Sequence, residues 1–209
     1  MHITSRRLGS TLFAGIAAVA LALPAALTGC AADSEKIAAI RAVNSAFQAE
    51  YERILADAGT RRVALPRRDA LVALRVSLAG LGMQTEAQDL DLGLLVSVGP
   101  APRPLSDAEW AQASALDTPF LQSVIKPHVG VAANFVHFEP QGLDVVISAT
   151  VIGQGAGSEI ALTVRLRERS PPPSGWPRRE YVAPNLLRFG LAKIWAAYER
   201  EVRASLTRP

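Results

Sequence analysis

Between residues 37 and 54 apolar side chains recur at helical spacing (Ile37, Ile40, Phe47, Tyr51 and Ile54), the single stripe that an amphipathic helix buries. Asp33 or Ser34 can cap its start and Gly59 can end it. Thr60 to Leu65 then suits a short strand. Leu71, Leu74, Leu78 and Leu81 mark a second helix over 66–81, with Gly80 and Gly82 as its stop. Residues 83–98 suit two strands with a turn near Asp89 to Gly93; in the second, Leu94, Val96 and Val98 alternate with Leu95 and Ser97.

A proline-rich connector at 99–105 closes that strand, because proline cannot donate to a sheet ladder. Ser106 and Glu109 have the spacing of a capping box and open a short helix around Trp110, which Pro119 and Pro127 punctuate. From Asn134 to Arg169 the pattern is that of strands. Val145, Ile147, Ala149 and Val151 line one face of one strand, and Ile160, Leu162, Val164 and Leu166 one face of the next, with 153–158 as the loop between them. Residues 170–177 are too rich in proline for helix or central strand. Pro184 fits the first turn of a final helix to Leu206, with Leu187, Leu191, Ile194, Trp195, Tyr198 and Val202 on its apolar face. The expected fold class is α+β, an antiparallel sheet with helices packed on it, preceded by an N-terminal helix.

The first 30 residues have a different character. Arg6 and Arg7 precede an uncharged run from Leu12 to Leu27, about 16 residues and shorter than the roughly 20 a spanning helix needs, so a signal peptide is expected. Leu27-Thr28-Gly29-Cys30 resembles the lipobox of bacterial lipoproteins, in which the thiol of the Cys is lipidated and the peptide is cut before it. The resemblance implies a diacylglyceryl group on Cys30 and an amide-linked third chain, and more than one chain is what a stable anchor requires. With Ala31 and Ala32 rather than Asp after the Cys, it implies the periplasmic face of the outer membrane. On this reading 1–29 is a removed signal peptide, 30–58 the lipidated Cys with the N-terminal helix, and 59–209 one α+β domain.

Composition supports a folded chain of modest charge. Of 209 residues 49% are hydrophobic and 20% charged, which excludes wholesale disorder. The net charge of +3 falls to near zero once Arg6 and Arg7 are removed, so nucleic acid is not an expected partner. Cys30 is the sole cysteine, which excludes an internal disulfide and a multi-cysteine metal site.

Little in the sequence asks for catalysis. Gly153, Gly155 and Gly157 lead into a strand rather than a helix, so they suit a hairpin and not a phosphate loop. Asp89 and Asp91 precede Gly93, but Gly99 stands where a calcium loop needs its bidentate Glu. Beyond the signal segment, His128 and His137 belong to no ligand cluster. His137 and Glu139, at i and i+2, can share one strand face as an acid/base pair, although a solvated surface pair is the favoured reading. Arg165, Arg167 and Arg169 form a cationic ridge on the outer strand face, either a docking surface for an anionic partner or the wet side of the sheet. Trp176 is either an anchor for a partner or a lid on the core. No catalytic, cofactor or metal residue is expected; Cys30 is the one site residue.

Ser77 to Thr85 (SLAGLGMQT), followed by Asp89 and by Gly93-Leu94-Leu95, resembles a pattern in bacterial outer-membrane lipoproteins of the BamC type. The resemblance covers roughly residues 60–98 and implies a helix-grip type of α+β fold. The expected function is that of a non-enzymatic, membrane-anchored envelope lipoprotein, an accessory or scaffold acting through a protein partner. The alternative is a periplasmic binding module for a lipid or other apolar ligand.

Overall fold

A computed structural model describes residues 23–170 and 178–207, with side chains from Ile37 onward. The described chain runs α1 (Leu23–Ile54), a π-helical turn (Leu55–Gly59), β1 (Thr60–Val63), α2 (Arg67–Gly80), β2 (Gln84–Asp89), β3 (Leu94–Pro100) and α3 (Asp107–Val129). A 3-10 turn (Gly130–Phe135), β4 (Leu143–Gln154), β5 (Gly157–Glu168), β6 (Glu180–Tyr181) and α4 (Pro184–Leu206) follow. The class is α+β, as the periodicities require.

All strand pairs are antiparallel, in the order β1-β5-β4-β3-β2, with β6 also pairing β5. Alternation sorts the sheet faces. Leu95 of β3, Val145, Ile147, Ala149 and Val151 of β4, and Ile160, Leu162, Val164 and Leu166 of β5 are buried, while their alternates are half-buried or exposed. The buried face meets α2 through Leu71, Leu74 and Leu78, and α4 through Leu187, Leu191, Ile194 and Trp195. At about 1.5–3 kcal/mol for each large aliphatic side chain, this layer dominates the stability. β2 is exposed along its whole length and its register with β3 shifts between Thr85 and Ala87.

α1 and α3 form a second helix pair, packed on each other and on α4. Their apolar residues join the same buried cluster as the sheet and its helices. Two polar side chains fasten α1 to the sheet edge. β1 and β6 pair the two ends of β5, and between them the Tyr51 hydroxyl donates to the Val164 carbonyl at 3.2 Å. The Asn44 amide donates to the Glu180 carbonyl and accepts from the Val182 N–H, both at 2.9 Å, and so serves as a neighbour for β6.

Five expectations need correction. α1 is not capped at Asp33 or Ser34; its described part runs from Leu23, and its backbone passes through Cys30 and both of those positions. Its buried row is Ala39, Val43, Phe47, Tyr51 and Ile54, while Ile37 and Ile40 are half-buried. α3 is not short: it continues through Pro119 and Pro127 for 23 residues. Both prolines, and the residues four back (Ala115 and Ser123), lie on its exposed side, so the freed carbonyls are not sealed in the core. Residues 134–142 are not strand; side chains of α3 take the carbonyls of Asn134, Val136 and Phe138. β3 extends to Pro100, two residues into the connector.

Candidate functional site

The capping box sets the direction of α3. Ser106 Oγ accepts the Glu109 N–H at 3.3 Å, and the Glu109 carboxylate accepts the Ser106 N–H at 2.7 Å and holds the Lys193 ammonium. Lys193, with Ser106 behind it, lowers the Glu109 carboxyl to about 2. Further along, Trp110 Nε1 (2.7 Å) and Ser114 Oγ (3.2 Å) both donate to the Phe138 carbonyl. Gln122 Nε2 donates to the carbonyls of Asn134 (3.1 Å) and Val136 (3.2 Å). The 134–139 segment is thereby strapped along α3, and the Phe138 ring is buried 6.4 Å from that of Phe47.

Between this strap, α1 and α3 lies an open groove of about 500 Å³. Ala39, Ile40 and Val43 of α1 face Leu121, Ile125 and Val129 of α3, and Phe135, Val136, Phe138, Leu143 and Tyr181 complete the apolar wall. Phe135 is 82% exposed and Val136 37%, side chains that water would not normally be left to cover. Apart from the Tyr181 hydroxyl, the polar side chains are His137 and Glu139, on the strap, and Gln141, just beyond it. Tyr181 keeps its proton: burial raises its pKa, and its hydroxyl donates to Glu168 at 2.6 Å, which raises it further.

His137 and Glu139 do meet, Nε2 to Oε1 at 3.1 Å, although on irregular backbone rather than a strand. Both side chains are about half exposed, the setting of a surface pair. The same two residues line a second hollow, floored by Trp110, Ser114 and Thr118, so the pair stands on a ridge between two depressions.

The cationic ridge is compensated. Arg165 faces Glu180 at 3.8 Å, Arg167 faces Glu86 at 3.2 Å and Arg169 faces Asp144 at 3.0 Å. Residues 153–158 form the β4–β5 hairpin, turning at Gly155 (φ 61°), and a phosphate loop is thereby ruled out. Asp89 accepts the N–H groups of Asp91 (2.9 Å) and Leu92 (2.8 Å) through one oxygen, as a turn residue does. Among the described residues no cluster of three metal-ligating side chains occurs, and no helix is long and apolar enough to cross a membrane. Residues 1–22, on which the expected signal peptide falls, the Cys30 side chain and Trp176 lie outside the described residues.

Sequence reasoning missed the groove. The sequence pattern places Ile40 in a buried stripe and 134–138 in a strand. The available signal was the run of apolar residues between Val129 and Phe138 with no alternation to bury them. No family model, curated protein or solved structure matches the chain.

Proposed function

We propose that this chain is a non-enzymatic binding module of the bacterial envelope, anchored by lipid on Cys30 at the periplasmic face of the outer membrane, that holds an apolar ligand between α1 and α3. The observation that carries the reading is the groove itself: a wall of aliphatic and aromatic side chains with its polar groups gathered on one segment, the usual make-up of a small-molecule site. The lipobox-like Leu27 to Cys30 supports the anchor. Native mass spectrometry of the full chain extracted from envelopes tests the module. An apolar molecule should accompany the protein and be absent from Ile40→Trp, in which an indole fills the mouth; an unchanged complement in that variant overturns the reading.

The open sheet face favours a second reading, a scaffold for a protein partner. Leu94 is 41% exposed and Ile152 56% at one end of this face, and Val96, Val98 and Val146 continue it, half-buried. Crosslinking in intact envelopes from position 152 should capture one reproducible protein if this face docks a partner, and none if the groove alone is used.

A further inference from the structure

We propose that the turn between α3 and the strap, with Val131 and Phe135 at its tip, dips into the lipid–water interface of the membrane that carries the anchor, and so fixes how the domain sits on it. This rests on the Cys30 anchor of the reading above and adds a second contact to it. The tip is built to point outward. Gly130 (φ 60°) ends α3 and turns the chain, Ala133 is buried, and the Gln122 amide holds the carbonyls of Asn134 and Val136. Val131 and Phe135 are thereby left 80% and 82% exposed, with the partly exposed Val136 next in the chain. A single residue of this kind is ordinary on a surface, but three within 131–136 make a patch.

Position and charge name the bilayer as what covers the patch. α1 and α3 run antiparallel: Glu50 and Arg53 share a hollow with Leu116 and Asp117, the rings of Phe47 and Phe120 lie 5.0 Å apart, and Ala39 and Val43 face Ile125 and Val129. The tip therefore stands beside the N-terminal half of α1, and Phe135 shares the groove wall with Ala39. On that helix Cys30 precedes Ala39 by about 13 Å of axis, and the uncharged run from Leu12 to Leu27 comes before it. Upright, α1 holds the tip that far from the anchored residue; slanted, it lays the tip on the same surface. No acid occurs from Thr118 to Phe138, where the exposed Lys126 is the one ion, His128 and His137 aside. An apolar tip with a cation and no carboxylate beside it suits an interface that holds anionic lipid.

The test uses the full chain, processed in bacterial envelopes and reconstituted in protein-free vesicles of phosphatidylethanolamine and phosphatidylglycerol. Lipidation consumes the Cys30 thiol, so a bimane on Val131→Cys or Phe135→Cys is the single label, and nitroxide lipids report its depth by quenching. The expected result is loss of emission at both positions, greater from a nitroxide at the head end of the acyl chain than from one at its tail, since an interfacial contact sits about 5–10 Å deep. Bimane on Ile152→Cys, an exposed position at the other end of β4 from the groove residue Leu143, should keep its emission. Quenching at 131 and 135 no greater than at 152 overturns the contact, and is what a protein partner at the tip would give. Stronger quenching from the tail nitroxide overturns the interfacial placement. Uptake of bimane by the parent chain, whose one thiol is that of Cys30, overturns the anchor on which the inference rests.

Discussion

The buried carboxylate of Asp117, in the middle of α3, accepts both the backbone N–H of Asn185 (3.1 Å) and its side-chain amide (2.7 Å). Asn185 lies in the first turn of α4, whose preceding residue, Ala183, offers no side-chain cap. One helix therefore caps another across 68 positions of sequence. Asp117→Ala should cost about 1–2 kcal/mol, the usual loss for a removed cap, as read by urea denaturation.

Asp117 also has a pH signature. Burial raises its pKa above the ordinary 3.8, and the hydrogen bonds from Asn185 only partly oppose this. A carboxyl raised in the folded state contributes stability that is complete below 3.8 and is lost as pH climbs through the raised value. Asp117→Asn removes that dependence. Its stability relative to the parent should rise across this acidic window and level off above it, and a constant difference from pH 3 to 7 would contradict the assignment.

Glu109 titrates in the opposite sense. Its carboxyl is held near 2 by Lys193 and Ser106, against an ordinary 4.5, so its contribution is present above 4.5 and disappears as pH falls toward 2. Thermal unfolding should show Glu109→Gln losing less stability than the parent over that interval. Lys193→Met should flatten the profile in the same way, since it removes the main cause.

Gly93 is the residue on which the β2–β3 turn depends. Its φ is +75°, and a Cβ there would lie 2.2 Å from the Val151 carbonyl oxygen, while the Val151 N–H donates to the Gly93 carbonyl at 2.8 Å. Backbone strain alone makes Gly93→Ala cost about 1–3 kcal/mol, and the approach to β4 adds to it. Gly80→Ala, where a Cβ meets nothing within 4 Å, is the control and should not destabilise the fold.

Leu78 measures the packing of α2 on the sheet. It is 1% exposed, so Leu78→Ala should cost about 2–5 kcal/mol in chemical denaturation. Val76 of the same helix is 40% exposed, and Val76→Ala should cost far less.

Elements that bury one face against a regular neighbour were legible from spacing alone. α4 begins and ends where Pro184 and Leu206 suggest, and the β4 and β5 inner faces are the two alternating sets. The Asp89 and Gly93 pattern fixed the turn because both residues act through local backbone. Legibility fails where a distant side chain decides the backbone. Trp110, Ser114 and Gln122 take carbonyls of the strap and prevent it from joining the sheet, a pairing that no local pattern encodes. Pro119 and Pro127 suggest breaks in the sequence because propensity weighs the lost hydrogen bonds and not the burial of Trp110, Leu121 and Ile125 that holds the helix. The groove inherits both errors, since its walls are the long α3 and the strap.

The register shift between Thr85 and Ala87 has a consequence beyond the turn it neighbours. An antiparallel sheet ending in a fully exposed strand is a template on which copies of a protein can stack into fibres. The bulge breaks the regular run of donors and acceptors, and Glu86, paired with Arg167 at 3.2 Å, places a charge at the break. Crowded copies would thus meet along β2 without being able to zip together.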